Sequence, residues 1–337
     1  MTARMTLKDL WKISASDFPG GAPPSEKLKF LIRYAVLAPS SHNSQPWLFK
    51  ISSENSIEIY ADRSRWLKIA DADRREMHIS IGCALENLLI AARHFGFDTK
   101  TDYFPKDDDK NCIARVVLRQ SEETKIHRGQ DLFEFLTARS TFHQTFLNKQ
   151  IGAEIRREIE NCCRENEVNL YLTSDENIRE RIEELIVRSD AAQFADPEFR
   201  KELAYWIEQG AFGNSWLMSQ IGSLAVAYLN LGKSTAKTDC TVLRSAPVFG
   251  LITSVENKRL SQVKAGQVFE RIYLTARKFG LGVRPMSQIV QIPEHKEELK
   301  KLIPQTGEFP QQPFLLGFAE VEEFHTPRRN IDEVIAE

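Results

Sequence analysis

The chain has 337 residues and a formal net charge of −2, which allows one large domain or two ordinary ones and burial of about three quarters of the unfolded surface without covalent staples. The balance of 45 basic against 47 acidic residues leaves no basic patch for nucleic acid and no acidic tail. Five cysteines (Cys83, Cys112, Cys162, Cys163 and Cys240) contain no CxxC pair, and an odd count without metal-ligand spacing reads as reduced thiols in a cytoplasmic protein.

The opening "MTARMTLKDLWKIS" lacks the apolar core of a signal peptide, and no apolar run approaches the ~18 residues a membrane helix needs. "FPGGAPPSEK" (18–27) is an opening loop. A helix is expected over 25–38, with Ser25 as N-cap and Pro39 as its stop. Two alternating stretches, 47–52 and 56–61, read as strands joined by a turn. Residues 76–95 have the spacing of an amphipathic helix, and "ARVVLR" (114–119) reads as a short strand. Helices are expected at 130–138 and 151–165, a strand at 168–174, helices at 175–190 and 197–230, a buried strand at 246–254, a helix at 264–279 and a last strand at 313–321.

A repeat organises these elements. "GCALENLLIAARHFGFD" (82–98) aligns without a gap on "GQVFERIYLTARKFGLG" (266–282). Gly82/Gly266, Glu86/Glu270, Ala92/Ala276, Arg93/Arg277, Phe95/Phe279 and Gly96/Gly280 coincide. Any two amphipathic helices share apolar spacing, but here the terminal glycine and the helix register agree together. "EKLKFLIRY…WLFKISS" and "AEIRREIEN…VNLYLTS" are also both helix-then-strand units. The expected organisation is an extension (1–24), a first half (25–125) and a second half (126–337) with a helical insertion at about 190–245.

Between the first helix and first strand lies "LAPSSHNSQPWLF" (37–49), rich in small polar groups. It resembles the loop of the nitroreductase superfamily that lies against the isoalloxazine ring of FMN. Small residues there let backbone amides and an Asn side chain approach the ring edge. "ARSTFHQTF" (138–146) resembles the superfamily's first-helix pattern, and "HTPRRNIDEV" (325–334) its C-terminal basic motif. "GLGVRPMSQ" (280–288) resembles the Gly-rich loop after the repeat helix. The four motifs in this order are closest to the Acg-like branch, in which one chain is a fused nitroreductase dimer. The resemblance spans about residues 25–335. It implies an α+β, nitroreductase-like pseudo-dimer with mixed β-sheets flanked by helices. It implies FMN bound by Pro39, Ser40, Ser41 and Asn43, by Arg139, Ser140, Thr141 and His143, by Pro285, Met286 and Ser287, and by Arg328 and Arg329. His143 stands where the family carries Arg or Lys.

The first half has the ring-facing loop and the second half the phosphate ligands, so one FMN per chain is expected. The implied function is a cytoplasmic oxidoreductase that moves hydride from NAD(P)H through the flavin to a nitro compound or quinone. The alternative is a flavin-binding or flavin-sequestering protein with little turnover. No protein acid or base is required. The partners would be small molecules, not nucleic acid or membrane, and the chain would be a monomeric pseudo-dimer open to further dimerisation. Bland readings stand beside the sharp ones. A capped turn would explain 39–43, and isolated arginines are usually surface charges. His78 and His295 lack a second ligand at metal-binding spacing. "PKDDDK" (105–110) lacks the glycine and distal Glu of a calcium loop. Ser40 and Ser41 have no visible triad. His42 reads as loop packing, and Trp206, Trp216 and Tyr228 as packing of the insertion.

Overall fold

A computed structural model of the chain describes residues 9–121, 132–213, 224–229, 231–303, 308–320 and 325–336. The first helix, α1 (Pro24–Ala35), starts one residue before Ser25 because Pro24 occupies the first helical turn, where a missing N–H costs nothing. It buries Leu28, Phe30, Leu31, Ile32 and Tyr34. Strands β1 (Trp47–Ser53) and β2 (Ser56–Ala61) form a hairpin. Helix α2 (Arg75–His94) leads into β3 (Phe97–Tyr103) and β4 (Cys112–Gln120). The sheet order is β1-β2-β4-β3. "FDTKTDY" escaped the strand pattern because β3 is an edge strand whose side chains are all at least partly exposed, so it needs no apolar alternation.

The second half repeats this plan. Helix α3 (Ala153–Glu160) precedes β5 (Val168–Thr173). After the insertion come β6 (Val248–Ser254), a long helix over Arg259–Lys278, β7 (Leu281–Pro285) and β8 (Phe309–Phe318). The order β5-β6-β8-β7 is that of the first sheet, element for element. Both sheets are antiparallel throughout, where mixed sheets were expected. Parallel geometry is confined, among the described residues, to a bridge from Phe49 to Ile335, where the Ala336 N–H donates to the Phe49 carbonyl at 2.7 Å. The tail of the second half thus runs along the edge of the first sheet.

The two repeat helices pack directly on each other. A Cβ on Gly82 would lie 2.1 Å from the Val263 carbonyl oxygen, and one on Gly266 would lie 2.0 Å from that of Ile79. The glycines are 3.0 Å from each other's ideal Cβ. The repeat therefore aligns these two glycines because each makes room for the other's helix. Around the crossing, α2 and its counterpart share one apolar core with α1 and both sheets.

The hairpin turn between β1 and β2 has no counterpart between β5 and β6. There the chain makes the insertion, which spans more than the expected 190–245. It begins with α4 (Glu176–Ala195), capped by Asp175 onto the Ile178 N–H at 3.0 Å. Helix α5 (Pro197–Glu208) follows, capped by Asp196, and α6 (Gly232–Ser245) returns to β6. A continuous helix over 197–230 is not formed: α5 ends before Gly210, whose φ is 73°. Residues 224–228 are helical again, and Trp216 lies outside the described residues. Trp206 is buried against Leu67, Ala70, Phe194 and Phe199, whereas Tyr228 is 80% exposed. The repeat helix is α7 in chain order. Short helices α8 (Gln288–Gln291), α9 (Pro293–Leu302) and α10 (Ile331–Val334) complete the chain. Instead of a helix over 130–138, the described residues form only a 3₁₀ turn at Phe133–Phe135.

Candidate functional site

After α1 the chain turns through three non-glycine residues in the left-handed region: His42 (φ 50°), Asn43 (49°) and Gln45 (52°). Such conformations are sparsely populated and persist where surrounding contacts over-determine them. The contacts are present. Ser40 Oγ accepts from the Gln45 N–H at 2.9 Å. Asn43 Nδ2 donates to the carbonyls of Ala211 (2.8 Å) and Pro327 (2.9 Å). Arg329 donates to Gln45 and Trp47 carbonyls and pairs with Asp62 at 3.1 Å. Trp47 is fully buried behind the loop. The loop is thus clamped by the C-terminal segment and the insertion.

One cavity of about 370 Å³ opens beside this loop, within the size of small-molecule sites. Of the expected site residues it is lined by Pro39, Ser40, Ser41, Asn43, Arg139, Ser140, Thr141, His143, Pro285, Ser287 and Arg328. Two expected residues are elsewhere. Met286 donates its N–H to the Pro313 carbonyl at 2.9 Å and buries its side chain in the core behind the second sheet. Arg329 is the loop clamp just described. Asn43 reaches the cavity, but both its amide hydrogens are taken by the Ala211 and Pro327 carbonyls, so its side chain braces the loop. Segment 138–146 is not helical; it runs beside β7, with the Phe142 N–H donating to the Val283 carbonyl.

At one end of the cavity two arginines converge. Arg139 Nη2 and Arg328 Nη2 both donate to the Leu37 carbonyl at 3.1 Å. Arg139 is 3% exposed and Arg328 1%. Trp11 roofs both, 5.8 Å from the Arg139 guanidinium and 4.6 Å from that of Arg328. Its indole is fixed by a 2.9 Å bond to the Thr326 carbonyl and by stacking on His325 at 4.2 Å. Among the described residues, the carboxylate paired with Arg139 is Glu270, at 3.8 Å. Burial pushes the Glu270 carboxyl up to about 7, with Arg139 pulling the other way. Burial, then Arg139, lower Arg328 well below the ordinary guanidinium range. Burial and both arginines hold His325 down at about 4, so it is neutral at pH 7. Arg139 Nε and Nη1 and Arg328 Nε have no hydrogen-bond partner. Buried donors without partners and an uncompensated buried charge are both costly. A bound anion would relieve both, and the phosphate of FMN fits that requirement.

The opposite wall comes from α2 and the insertion. Ser41 Oγ donates to Glu76. Gln291 Nε2 lies 3.0 Å from each Glu76 oxygen, and Gln193 of α4 donates to Gln291 Oε1. Phe194, Phe199 and Phe212 supply apolar surface beside His42, whose pKa burial lowers to about 4. Arg284 bonds Asp239, and its Nη1 donates to the His143 carbonyl at 2.7 Å. Burial and the Arg284 guanidinium both lower the His143 pKa, so the fixed cation of this wall is Arg284 and not His143. Sequence patterns gave no sign of Trp11, Glu76, Asp190, Asp239 or Arg284. Glu270 was visible as a repeat position, yet only the fold shows what it faces.

A family model described as "Putative TM nitroreductase" matches residues 17–99. The chain is 24% identical over 327 residues to "Putative NAD(P)H nitroreductase acg" of Mycobacterium tuberculosis, covering 92% of this chain and 95% of that one. It is 22% identical over 324 residues to "Putative NAD(P)H nitroreductase Rv3131" of the same organism, covering 93% and 92%. Among solved structures, an FMN-bound nitroreductase from Bacteroides fragilis aligns over 58% of this chain and 94% of its own, at 14% identity and a TM-score of 0.36. The chain thus resembles the nitroreductases. Its likeness to the Acg proteins runs along nearly the whole chain.

Proposed function

We propose that this chain is an FMN-dependent oxidoreductase that accepts hydride from NAD(P)H and passes it to a small-molecule acceptor, a nitro compound or quinone. The observation that carries this reading is the pair Arg139 and Arg328. They come from segments nearly two hundred positions apart, share one carbonyl and, among the described residues, have one paired carboxylate, Glu270, beside the cavity. FMN bound there would supply the hydride relay. Arg139 and Arg328 hold its phosphate with charge-assisted bonds. Ser140 and Thr141 lie next along the cavity, suited to phosphate or ribityl hydroxyls. Loop 39–43 with Pro285 and Ser287 would hold the ring. The insertion shields the site from water through Phe194, Phe199 and Phe212, which strengthens every electrostatic contact within.

One FMN per chain follows from the same charge argument. At the repeat-related position, Glu86 is already paired with Arg271 at 3.2 Å, and Arg271 also bonds Glu165 and the Cys162 carbonyl. Among the described residues, no positive charge beyond Arg271 is paired with Glu86 there. The test is to purify the protein with its flavin, quantify flavin against protein, and add NADPH or NADH anaerobically. A ratio near one and rapid bleaching of the flavin absorbance are expected. A flavin that photoreduces but ignores both nicotinamides would overturn the oxidoreductase reading.

A further inference from the structure

Helix α4 belongs to the insertion, and it places one carboxyl group in the cavity wall. Asp190 lines the cavity, is 2% exposed, and its Oδ2 has no hydrogen-bond partner. The groups facing it come from three other elements: Asp239 on α6, Arg284 on β7 and Gln288 on α8. Arg284 and the Gln288 amide are both engaged by Asp239, the latter at 2.9 Å to Oδ2. Asp239 therefore takes the available cation and leaves Asp190 beside a second carboxylate with none of its own. We propose that Asp190 is the proton donor to the acceptor, a further catalytic residue that the insertion contributes to the oxidative half-reaction.

The proposal rests on the oxidoreductase reading above. A quinone that has received a hydride is an anion one proton short of the hydroquinone. The Asp190 O–H bond breaks, its electron pair stays on the carboxylate oxygen, and the proton bonds to the anionic oxygen of the reduced quinone. The carboxylate regains its proton from water after the product leaves. For a nitro acceptor, hydride and one proton likewise give the nitroso compound and water. The group is in the required state at neutral pH. Burial, then the neighbouring Asp239, push the Asp190 carboxyl up to about 8, against the opposing pull of Arg284. An acid with a pKa near the working pH is suited to proton transfer.

The test uses the FMN-loaded protein, reduced anaerobically with NADPH and then mixed with p-benzoquinone in a stopped-flow instrument. In the wild type the reoxidation rate should fall as pH rises through about 8. Asp190→Asn should slow reoxidation by about 10²-fold and lose that pH dependence, while the rate of flavin reduction by NADPH stays within about twofold. Asp190→Glu should restore most of the rate, which a merely structural loss would not do. Independently of turnover, the infrared spectrum of the resting protein should show a protonated carboxyl band that Asp190→Asn removes. An active wild type matched in reoxidation rate and pH profile by Asp190→Asn would overturn the assignment alone. So would the absence of that infrared difference. A wild type inert in both half-reactions would instead overturn the oxidoreductase reading, and the donor role with it.

Discussion

Removing the Arg139 guanidinium separates phosphate capture from every other contact of the flavin. Arg139→Met keeps an unbranched apolar stem of similar length but deletes two N–H groups that have no protein partner, Nε and Nη1. A hydrogen bond to a charged group contributes roughly 1.5–3 kcal/mol, so two to one phosphate sum to about 3–6 kcal/mol before compensation. Arg328 remains on the same Leu37 carbonyl and retains part of the attraction. Glu270 loses its cation at 3.8 Å, but its carboxyl already sits at about 7, so at neutral pH it takes up a proton at small cost. The surviving effect should be at least about 1.4 kcal/mol, a tenfold rise in the FMN dissociation constant. Riboflavin has the same ring and no phosphate, and its affinity should change by less than about threefold, well under that tenfold step. Fluorescence-quenching titrations of the flavin-free protein with each ligand make the comparison. Equal losses for FMN and riboflavin would show that Arg139 supports the fold, and would refute the charge argument for the site.

Three further variants have expected outcomes. Glu270 has a folded pKa of about 7, raised by burial, so its charge appears only as pH rises through that value and then opposes the phosphate; Glu270→Gln should bind FMN more tightly than wild type at about pH 8 and equally at about pH 6, by titration at both. The same sign applies to stability: the wild type should lose stability between about pH 4.5 and 7 relative to Glu270→Gln, and a variant with an identical urea profile would contradict it. Gly82→Ala places a methyl 2.1 Å from a backbone oxygen of α7, and overpacking of this kind costs about 1–3 kcal/mol or more; an unchanged denaturation midpoint would mean the helix pair can slide. Trp206→Ala removes the buried anchor between α5 and residues Leu67 and Ala70, loosening the insertion, and should speed reduction of bulky acceptors while FMN stays bound; loss of the flavin would make the insertion part of the cofactor site itself.

The strongly periodic parts of the chain were legible because periodicity reports burial on one face. Both repeat helices, the β1–β2 hairpin, the core of β4 and the strands β5, β6 and β8 fall in this class. What escaped did so for stated reasons. β3 has no fully buried residue, and β7 is only five residues long, with Gly282 and Pro285 inside it. The segment between β5 and β6 starts with α4, ahead of the expected 190, because α4 packs behind the second sheet and reads as an ordinary core helix. At the candidate site, the structure brings residues of all four motifs to one cavity but gives some of their side chains other uses. Asn43 and Arg329 sit in motif positions, yet the fold uses them to brace strained backbone. Which polar group faces a ligand and which is consumed by a neighbouring carbonyl depends on contacts across hundreds of residues, and those leave no local pattern.

The repeat also explains why one end of the helix pair carries a site and the other does not. Glu86 and Glu270 are equivalent positions on two helices that cross at Gly82 and Gly266. A buried carboxylate needs a cation. At Glu86 that cation is Arg271, held on α7 itself and bound in turn by Glu165, so the charges close among the protein's own groups. At Glu270 the nearest cation is Arg139, brought in by the segment that runs along β7, and Arg328 arrives from the C-terminal segment as a second. Among the described residues, two guanidiniums against one carboxyl leave positive charge over, in a place too buried for water to screen it well. A single FMN site, as proposed, would thus follow from where each half draws its countercharge, with the loop 37–49 in the half that faces the unsatisfied end.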